Sequence, residues 1–217
     1  MIDIQIVSDE CRRRFYGVIN PLGRFMGRIG VHPNVLTIAG LFLSIITGIL
    51  FCTGIFWGGA VILFCSGICD ALDGTIARET GKGSKSGAFL DSTLDRYGDI
   101  FPLMGLAYYY AGGTNFLSSG DKIAGDHSPL MVLMVIFIIT GSFIVSYTRA
   151  RAEGLGVECR VGLMQRTERI VLLIFGALLG SIPWIGSILL KIILIILAIS
   201  TNCTAISRIF YVRRKIL

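Results

Sequence analysis

Four aspartates lie at the neighbouring ends of two successive apolar stretches of the sequence. Asp70 and Asp73 are three residues apart and Asp91 and Asp95 are four apart, so each pair lies on one face of a helix. Inserting an aspartate into a membrane costs about 2.5 to 3.5 kcal/mol, so four of them need partners or a function. Carboxylate oxygens favour hard cations, and two ions can share bridging carboxylates. The spacing predicts that all four aspartates bind two Mg2+ or Mn2+ ions.

The segment between the two pairs favours a phosphate-bearing ligand. Gly74 directly follows Asp73 and places no side chain beside it. The connection contains five small residues that allow a phosphate to approach the backbone closely: Gly81, Gly83, Ser84, Ser86 and Gly87. A structural alternative is that the acids pair with Arg78 and Arg96 and only hold helices together. We favour the functional interpretation because ionisable groups within a membrane are functional by default.

The whole chain has the composition of an integral membrane protein. Of its 217 residues, 53% are hydrophobic and only 16% are charged, which is unlike a soluble domain. Stretches long enough to cross about 30 Å of hydrocarbon recur along the chain. The predicted fold is all-α, a six-transmembrane-helix bundle with a polar mouth, with spans at residues 34–54, 56–78, 88–112, 129–152, 167–182 and 184–208.

An amphipathic helix is predicted before the first span. Arginines cover much of its surface, and we expect Pro21 to bend or interrupt it. Its apolar residues recur at three- and four-residue spacing: Phe15, Val18, Ile19, Leu22, Met26 and Ile29. Such a helix lies in the headgroup plane of a membrane. The predicted organisation is therefore an interfacial helix at residues 1–30 and a membrane domain at residues 31–217.

The basic residues predict the orientation in the cell membrane. Most of the 20 Lys and Arg residues fall before the first span, in the second-to-third and fourth-to-fifth connections, or at the C-terminus. Loops rich in these residues stay in the cytoplasm, which puts both termini and the acidic site there. The net charge of +6 follows from this topology and from attraction to anionic lipid, and no nucleic-acid partner is predicted. The cysteines are interpreted as packing residues.

The acidic segment as a whole resembles the complete signature of the CDP-alcohol phosphotransferase family. The matching pattern is Asp70-x2-Asp73-Gly74-x2-Ala77-Arg78-x8-Gly87-x3-Asp91-x3-Asp95. The six spans, the N-terminal helix and the stretch from His32 to Thr37 extend the resemblance over essentially the whole chain. It implies an enzyme, usually a homodimer, in which an acceptor hydroxyl attacks the lipid-side phosphorus of a CDP-lipid and CMP leaves.

The resemblance also implies roles for individual residues. Asp70, Asp73 and Asp91 would bind the metal ions, and Asp95 would contact one ion and act as the general base. The implied contacts to the CDP-lipid are Asp70, Gly74, Arg78, Ser84 and Gly87.

Arginines around the fourth and fifth spans favour a phosphorylated acceptor. The group contains Arg149, Arg151, Arg166 and Arg169, although topology alone would put some arginines there. Residues 87–96, 146–156 and 165–169 resemble the phosphatidylinositol-phosphate synthase branch, including its archaeal ether-lipid relatives. That branch usually has Lys at position 149 and an acid at position 165. The resemblance implies that Arg149, Arg169 and Arg208 bind inositol phosphate.

Three other functions are weighed against this one. Glycerol 3-phosphate is the second acceptor, because the same arginines would hold its phosphate, and serine is the third. A divalent-cation transporter could also use acids within a membrane. It would not explain Gly74, Ala77, Arg78 and Gly87.

Overall fold

The structure is a computed structural model that describes residues 9–80, 84–113, 127–159 and 161–216. Within these residues the chain is all-helical and has no strand. The seven helices in this part of the chain are α1 (Asp9–Arg28), α2 (Pro33–Cys52), α3 (Phe56–Thr80), α4 (Lys85–Tyr110), α5 (Pro129–Glu153), α6 (Arg166–Gly180) and α7 (Gly186–Ile216). Helices α2 to α7 coincide with the six predicted spans to within a few residues, except that α7 continues beyond residue 208.

Four of these helices are long and apolar enough to cross a membrane, namely α2, α3, α5 and α7. Helix α4 is long enough, but its first four turns contain five charged residues: Lys85, Asp91, Asp95, Arg96 and Asp99. Helix α6 has 15 residues and is about 22 Å long at 1.5 Å per residue. The chain is a helical membrane protein, and of the six predicted spans α4 is set apart by its charged first half and α6 by its short length.

The start of α2 and the start of α4 are both capped by side chains. Nδ1 of His32 accepts a hydrogen bond from the backbone N–H of Asn34 at 3.2 Å, and Pro33 occupies the first helical position. Oγ of Ser84 accepts a hydrogen bond from the backbone N–H of Gly87 at 2.9 Å. These caps satisfy backbone donors that have no partner within the helix, and so fix where each helix begins.

A hydrophobic core joins α2 to α7 at one end of the bundle. Its fully buried members include Phe51 of α2, Leu106 of α4, Val135 of α5 and Leu194 of α7. Phe51 and Leu106 lie in the second halves of α2 and α4, and Val135 and Leu194 lie in the first halves of α5 and α7. The charged residues of α3, α4 and α6 therefore share the opposite end of the bundle.

Helix α1 packs against the second half of α3. Ile19 is buried and contacts a cluster that includes Leu72 and Ile76, with Phe15 and Met26 beside it. The other three apolar residues of the predicted face are exposed: Val18, Leu22 and Ile29. The helix is continuous through Pro21, so the predicted interruption does not occur. Contacts on both sides of the proline hold the helix together, although its ring removes one backbone hydrogen bond.

The backbones of α2 and α4 touch at two glycines. A Cβ atom on Gly48 would lie 2.5 Å from the carbonyl oxygen of Phe101, and a Cβ atom on Gly105 would overlap the carbonyl group of Gly48. Small residues allow this kind of close helix approach in membrane proteins. The contact fixes the position of α4, which carries two of the predicted acids.

We predict that Gly105→Ala destabilises the protein. The added methyl group forces α2 and α4 apart, and such overpacking costs about 1 to 3 kcal/mol. Gly67→Ala is the matched control, because a Cβ atom there would meet nothing within 4 Å. Thermal unfolding of both variants in detergent checks the prediction, and equal stability of the two would contradict it.

Candidate metal and substrate site

Three of the four predicted metal ligands come together between α3 and α4. Asp70, Asp91 and Asp95 are half-buried, and each offers an oxygen atom within 4.8 Å of the oxygens of the other two. The second half of α3 and the first half of α4 bring the two predicted helix faces together. The group could hold a metal ion, since the carboxylates are close enough to share one.

The fourth predicted ligand, Asp73, lies next to this group but is bonded differently. Its side chain is buried, and its Oδ2 accepts a hydrogen bond from Oγ1 of Thr37 on α2 at 2.8 Å. Asp73 interacts electrostatically with Asp70 and Asp91. It therefore contributes negative charge beside the three-carboxylate group, while one of its oxygens is already satisfied.

The chemistry of the group fits a hard divalent cation. All the donors are carboxylate oxygens, which Mg2+ and Mn2+ favour. Oδ1 of Asp91 is buried and has no hydrogen-bond partner among the residues that the structure describes. A buried carboxylate oxygen without a partner is unfavourable, and a cation bound between the acids would supply one.

Arg166, at the start of α6, is the main protein partner of these acids. Its Nη1 lies 2.7 Å from Oδ1 of Asp70, its Nη2 lies 2.9 Å from Oδ1 of Asp95, and its Nε lies 3.1 Å from Oδ1 of Asp99. One guanidinium group thus bridges α3 and α4. Planar guanidinium groups are suited to such multiple contacts with carboxylates.

The partners named in the structural alternative do not fill this role. Nη1 of Arg96 is 4.0 Å from Oδ2 of Asp95, which is too long for a strong hydrogen bond. Nη2 of Arg78 donates a hydrogen bond to Oγ1 of Thr75 at 3.2 Å. The main partner is instead Arg166, which lies 96 positions beyond Asp70 in the sequence. The sequence pattern had indicated Arg166 only as one of the arginines that favour a phosphorylated acceptor.

The site keeps an excess of negative charge. Arg166 and Arg169 form close ion pairs with Asp70, Asp95 and Asp99, Arg96 forms a longer one with Asp95, and Asp91 interacts with both Arg166 and Arg96. Together with Asp73, which also interacts with this group, five carboxylates therefore face three guanidinium groups among the described residues. The remaining negative charge attracts a cation.

The residues predicted to contact CDP lie at neighbouring helix ends. A Cβ atom on Gly74 would lie 3.3 Å from Nη1 of Arg78, so the glycine makes room for this guanidinium group. A Cβ atom on Gly87 would lie 3.1 Å from Oγ of Ser84 and 3.2 Å from Oδ1 of Asn34. Asn34 was noted in the sequence only as part of a family resemblance, and the structure places it beside Gly87. Two further glycines of this connection lie outside the described residues: Gly81 and Gly83.

An open cavity of about 820 Å3 lies between α4 and α5, beside the acids. Its wall includes Asp91, Asp95 and Arg149. Arg149 is half-exposed, and its Nε donates to Oε1 of Glu153 at 2.9 Å. The cavity therefore presents both carboxylates and a basic group to a molecule that enters from outside.

The two other predicted acceptor arginines are buried nearby. Nη2 of Arg169 lies 2.9 Å from Oδ2 of Asp99. Arg208 donates to the carbonyl oxygens of Val145 and Val161, each at 2.7 Å. Arg149 and Arg169 are both close enough to Arg208 to interact with it electrostatically. The three arginines form one basic cluster, although Arg149 alone among them lines the open cavity.

Comparison with known proteins gives close relatives over nearly the whole chain. The chain is 35% identical over 217 residues to the phosphatidylinositol phosphate synthase of Streptomyces avermitilis, covering 97% of this chain and 84% of that protein. It is 35% identical to the archaetidylinositol phosphate synthase of Methanothermobacter thermautotrophicus, covering 94% and 91%. Both relatives therefore match far more than the acidic segment.

Solved structures have the same fold. The crystal structure of Mycobacterium tuberculosis phosphatidylinositol phosphate synthase with CDP-DAG bound matches with a TM-score of 0.77 and 29% identity, over 90% of this chain and 93% of that chain. The structure of that enzyme with manganese and citrate matches with a TM-score of 0.76 and 30% identity, over 89% and 88%.

The predicted family is confirmed by a family model. Residues 30–204 match the model described as CDP-alcohol phosphatidyltransferase, and this range includes every position of the acidic signature. Membership of an enzyme family also answers the transporter alternative, which offered no reason for the glycines and Arg78. The chain belongs to the CDP-alcohol phosphatidyltransferase family and is a transferase of that family.

Proposed function

We propose that this enzyme transfers a phosphatidyl-type group from a CDP-lipid to inositol phosphate and releases CMP. The observation that carries the proposal is the shared cavity, in which Asp91 and Asp95 lie on the same wall as Arg149. The names of the relatives from Streptomyces and Methanothermobacter support inositol phosphate as the acceptor. The CDP-DAG in the mycobacterial structure supports a CDP-lipid as the donor.

Two divalent ions, Mg2+ or Mn2+, would be held by the acids of α3 and α4. Asp70, Asp91 and Asp95 would bind the first ion, and Asp73 would complete the binding site of the second ion. Bound divalent ions neutralise the negative charge of a pyrophosphate. The manganese in the mycobacterial structure supports this choice of metals.

Asp95 is proposed as the general base. Its side chain is 17% exposed, and it lines the open cavity, so a hydroxyl group in the cavity can reach it. The carboxylate takes the proton of the acceptor hydroxyl. The hydroxyl oxygen then bonds to the lipid-side phosphorus, and the bond from that phosphorus to the bridging oxygen breaks as CMP leaves. Arg166 orients Asp95 through its contact at 2.9 Å.

The two substrates are proposed to occupy opposite sides of the acids. On the donor side, Gly74, Arg78, Ser84 and Gly87 would contact the CDP group together with Asp70. On the acceptor side, Arg149, Arg169 and Arg208 would bind the phosphate of inositol phosphate. Charge-assisted contacts from arginine are well suited to a phosphate dianion.

In the membrane, we propose that α2 to α7 make six spans and that α1 lies in the headgroup plane. The proposed division is an interfacial helix at residues 1–30 and a membrane domain at residues 31–217. Basic residues near the acidic end support a cytoplasmic position for the site and both termini. Two of these basic residues, Lys82 and Arg160, lie outside the described residues, as does Lys122, which the prediction places on the opposite side of the membrane. We also propose a homodimer, as the family resemblance implies.

The acceptor is tested by release of CMP from a CDP-lipid. We predict that purified protein with Mg2+ releases CMP with inositol phosphate much faster than with glycerol 3-phosphate or serine. The reason is the basic cluster, which matches a phosphate next to a polyol. Faster release with glycerol 3-phosphate would contradict the proposed acceptor and leave the family unchanged.

Asp95→Asn should nearly abolish CMP release. An amide cannot accept the proton and is a poorer metal ligand than a carboxylate. Glu10→Gln is the control, because its ion pair with Arg14 is exposed and lies on α1, away from the site. Near-normal turnover of Asp95→Asn would refute its assignment as the base.

Metal binding provides a test of Asp91 that does not depend on turnover. We predict that Asp91→Asn lowers the affinity for Mn2+, measured by electron paramagnetic resonance without substrates, by at least about tenfold. The buried oxygen without a partner is the reason for choosing this residue. A titration curve that matches the one from Glu10→Gln would remove Asp91 from the metal site.

A further inference from the structure

We propose that Asp99, which lies outside the family signature, is a positioning residue that holds Arg166 and Arg169 between the acidic site and the acceptor arginines. The inference rests on the proposed function, because it assigns a role on the acceptor side of the same site. It names a determinant of acceptor binding that the sequence pattern did not contain.

Asp99 on α4 contacts two arginines on α6, Arg166 and Arg169. Its side chain is only 11% exposed. Oδ1 accepts a hydrogen bond from Nε of Arg166 at 3.1 Å, and Oδ2 accepts one from Nη2 of Arg169 at 2.9 Å. Each oxygen therefore holds a different arginine. Among the described residues, Asp99 is the carboxylate that these two arginines share.

The two arginines connect to different parts of the site. Arg166 uses its remaining nitrogens to contact Asp70 and Asp95, so it belongs to the metal and base side. Arg169 is buried and interacts with Arg208, so it belongs to the acceptor side. Asp99 is the point at which the two sides are joined.

Asp99 also opposes a repulsion. Arg166 and Arg169 are three positions apart at the start of α6 and therefore lie on the same helix face, where like charges repel. The shared carboxylate lies between them and offsets this repulsion. Without it, the guanidinium groups could separate, and a phosphate would have to bring them together at the cost of binding free energy.

Other hydrogen-bond acceptors lie near the two arginines. A small cavity of about 40 Å3 adjoins Asp99 and is lined in part by Ser66 and Ser142. The serine hydroxyl groups could accept hydrogen bonds from a guanidinium group that is no longer held. Asp99 therefore competes with these hydroxyl groups for the guanidinium groups and favours the arrangement in the structure.

The first test is Asp99→Asn. The amide has nearly the same shape, but its single oxygen can accept from one arginine while its NH2 group faces the other. We expect the KM for inositol phosphate to rise by about ten- to hundredfold. The KM for the CDP-lipid should stay within about twofold, as should every value for the Glu10→Gln control.

A double-mutant cycle with Arg169→Ala separates positioning from a structural role. Arg169→Ala alone should raise the acceptor KM. If Asp99 acts through Arg169, the fold-increase in acceptor KM of the double variant should be far smaller than the product of the fold-increases of the two single variants. A purely structural Asp99 would lower the unfolding temperature in both backgrounds and leave the acceptor KM unchanged, and that result would overturn the inference.

A second variant covers the case in which Asp99→Asn does not fold. Asp99→Glu keeps the charge but moves the oxygens by one methylene group, so the acceptor KM should rise in this variant as well. An acceptor KM within twofold of wild type, in whichever variant folds, would overturn the inference. If the wild-type enzyme uses glycerol 3-phosphate instead of inositol phosphate, the proposed function fails, and the same cycle is run with glycerol 3-phosphate. Activity with serine alone would overturn both, since serine has no phosphate for the arginines to hold.

Discussion

The structure depends on keeping several carboxylates next to one another inside a helical membrane protein. Like charges in such surroundings repel strongly, because little water is present to screen them. Here Arg166 offsets part of the repulsion by contacting Asp70, Asp95 and Asp99 at 2.7 to 3.1 Å. The compensation is incomplete, since within the described part of the chain Asp91 keeps a buried oxygen without a hydrogen-bond partner. This remaining demand for positive charge is the reason we propose that the group binds a metal ion rather than forming only structural ion pairs.

The rest of the bundle positions these charges. The hydrophobic core occupies one end of α2 to α7, so the polar halves of α3, α4 and α6 meet at the other end. The glycine contact between α2 and α4 sets the height and direction of α4, and the cap at Ser84 fixes where α4 begins. Each acid therefore gains its position from contacts far from the chemistry. The same arrangement leaves an open cavity between α4 and α5 that Asp95 lines, and this is where we propose that the acceptor binds.

Periodic and local features could be predicted from the sequence, and features that depend on distant packing could not. The apolar stretches predicted helices α2 to α6 and the start of α7 within a few residues, and the three- and four-residue spacing predicted that Asp70 would face Asp91 and Asp95. The sequence offered Arg78 and Arg96 as partners because they are close along the chain, whereas the actual partner, Arg166, comes from α6. Asp99 was missed although it follows Asp95 by four residues, the same spacing that relates Asp91 to Asp95. The burial of Arg208 against backbone carbonyl groups also depends on tertiary structure.

The most direct test of this account is to locate the metal itself. A crystal structure of the enzyme grown with Mn2+, with anomalous diffraction measured near the manganese absorption edge, would show each ion as a peak. The account predicts a peak within bonding distance of oxygens from Asp70, Asp91 and Asp95, with Arg166 still in contact with Asp99. A peak bound elsewhere, with Arg166 filling the space between these three carboxylates, would contradict it, because the acids would then be structural partners of the arginine.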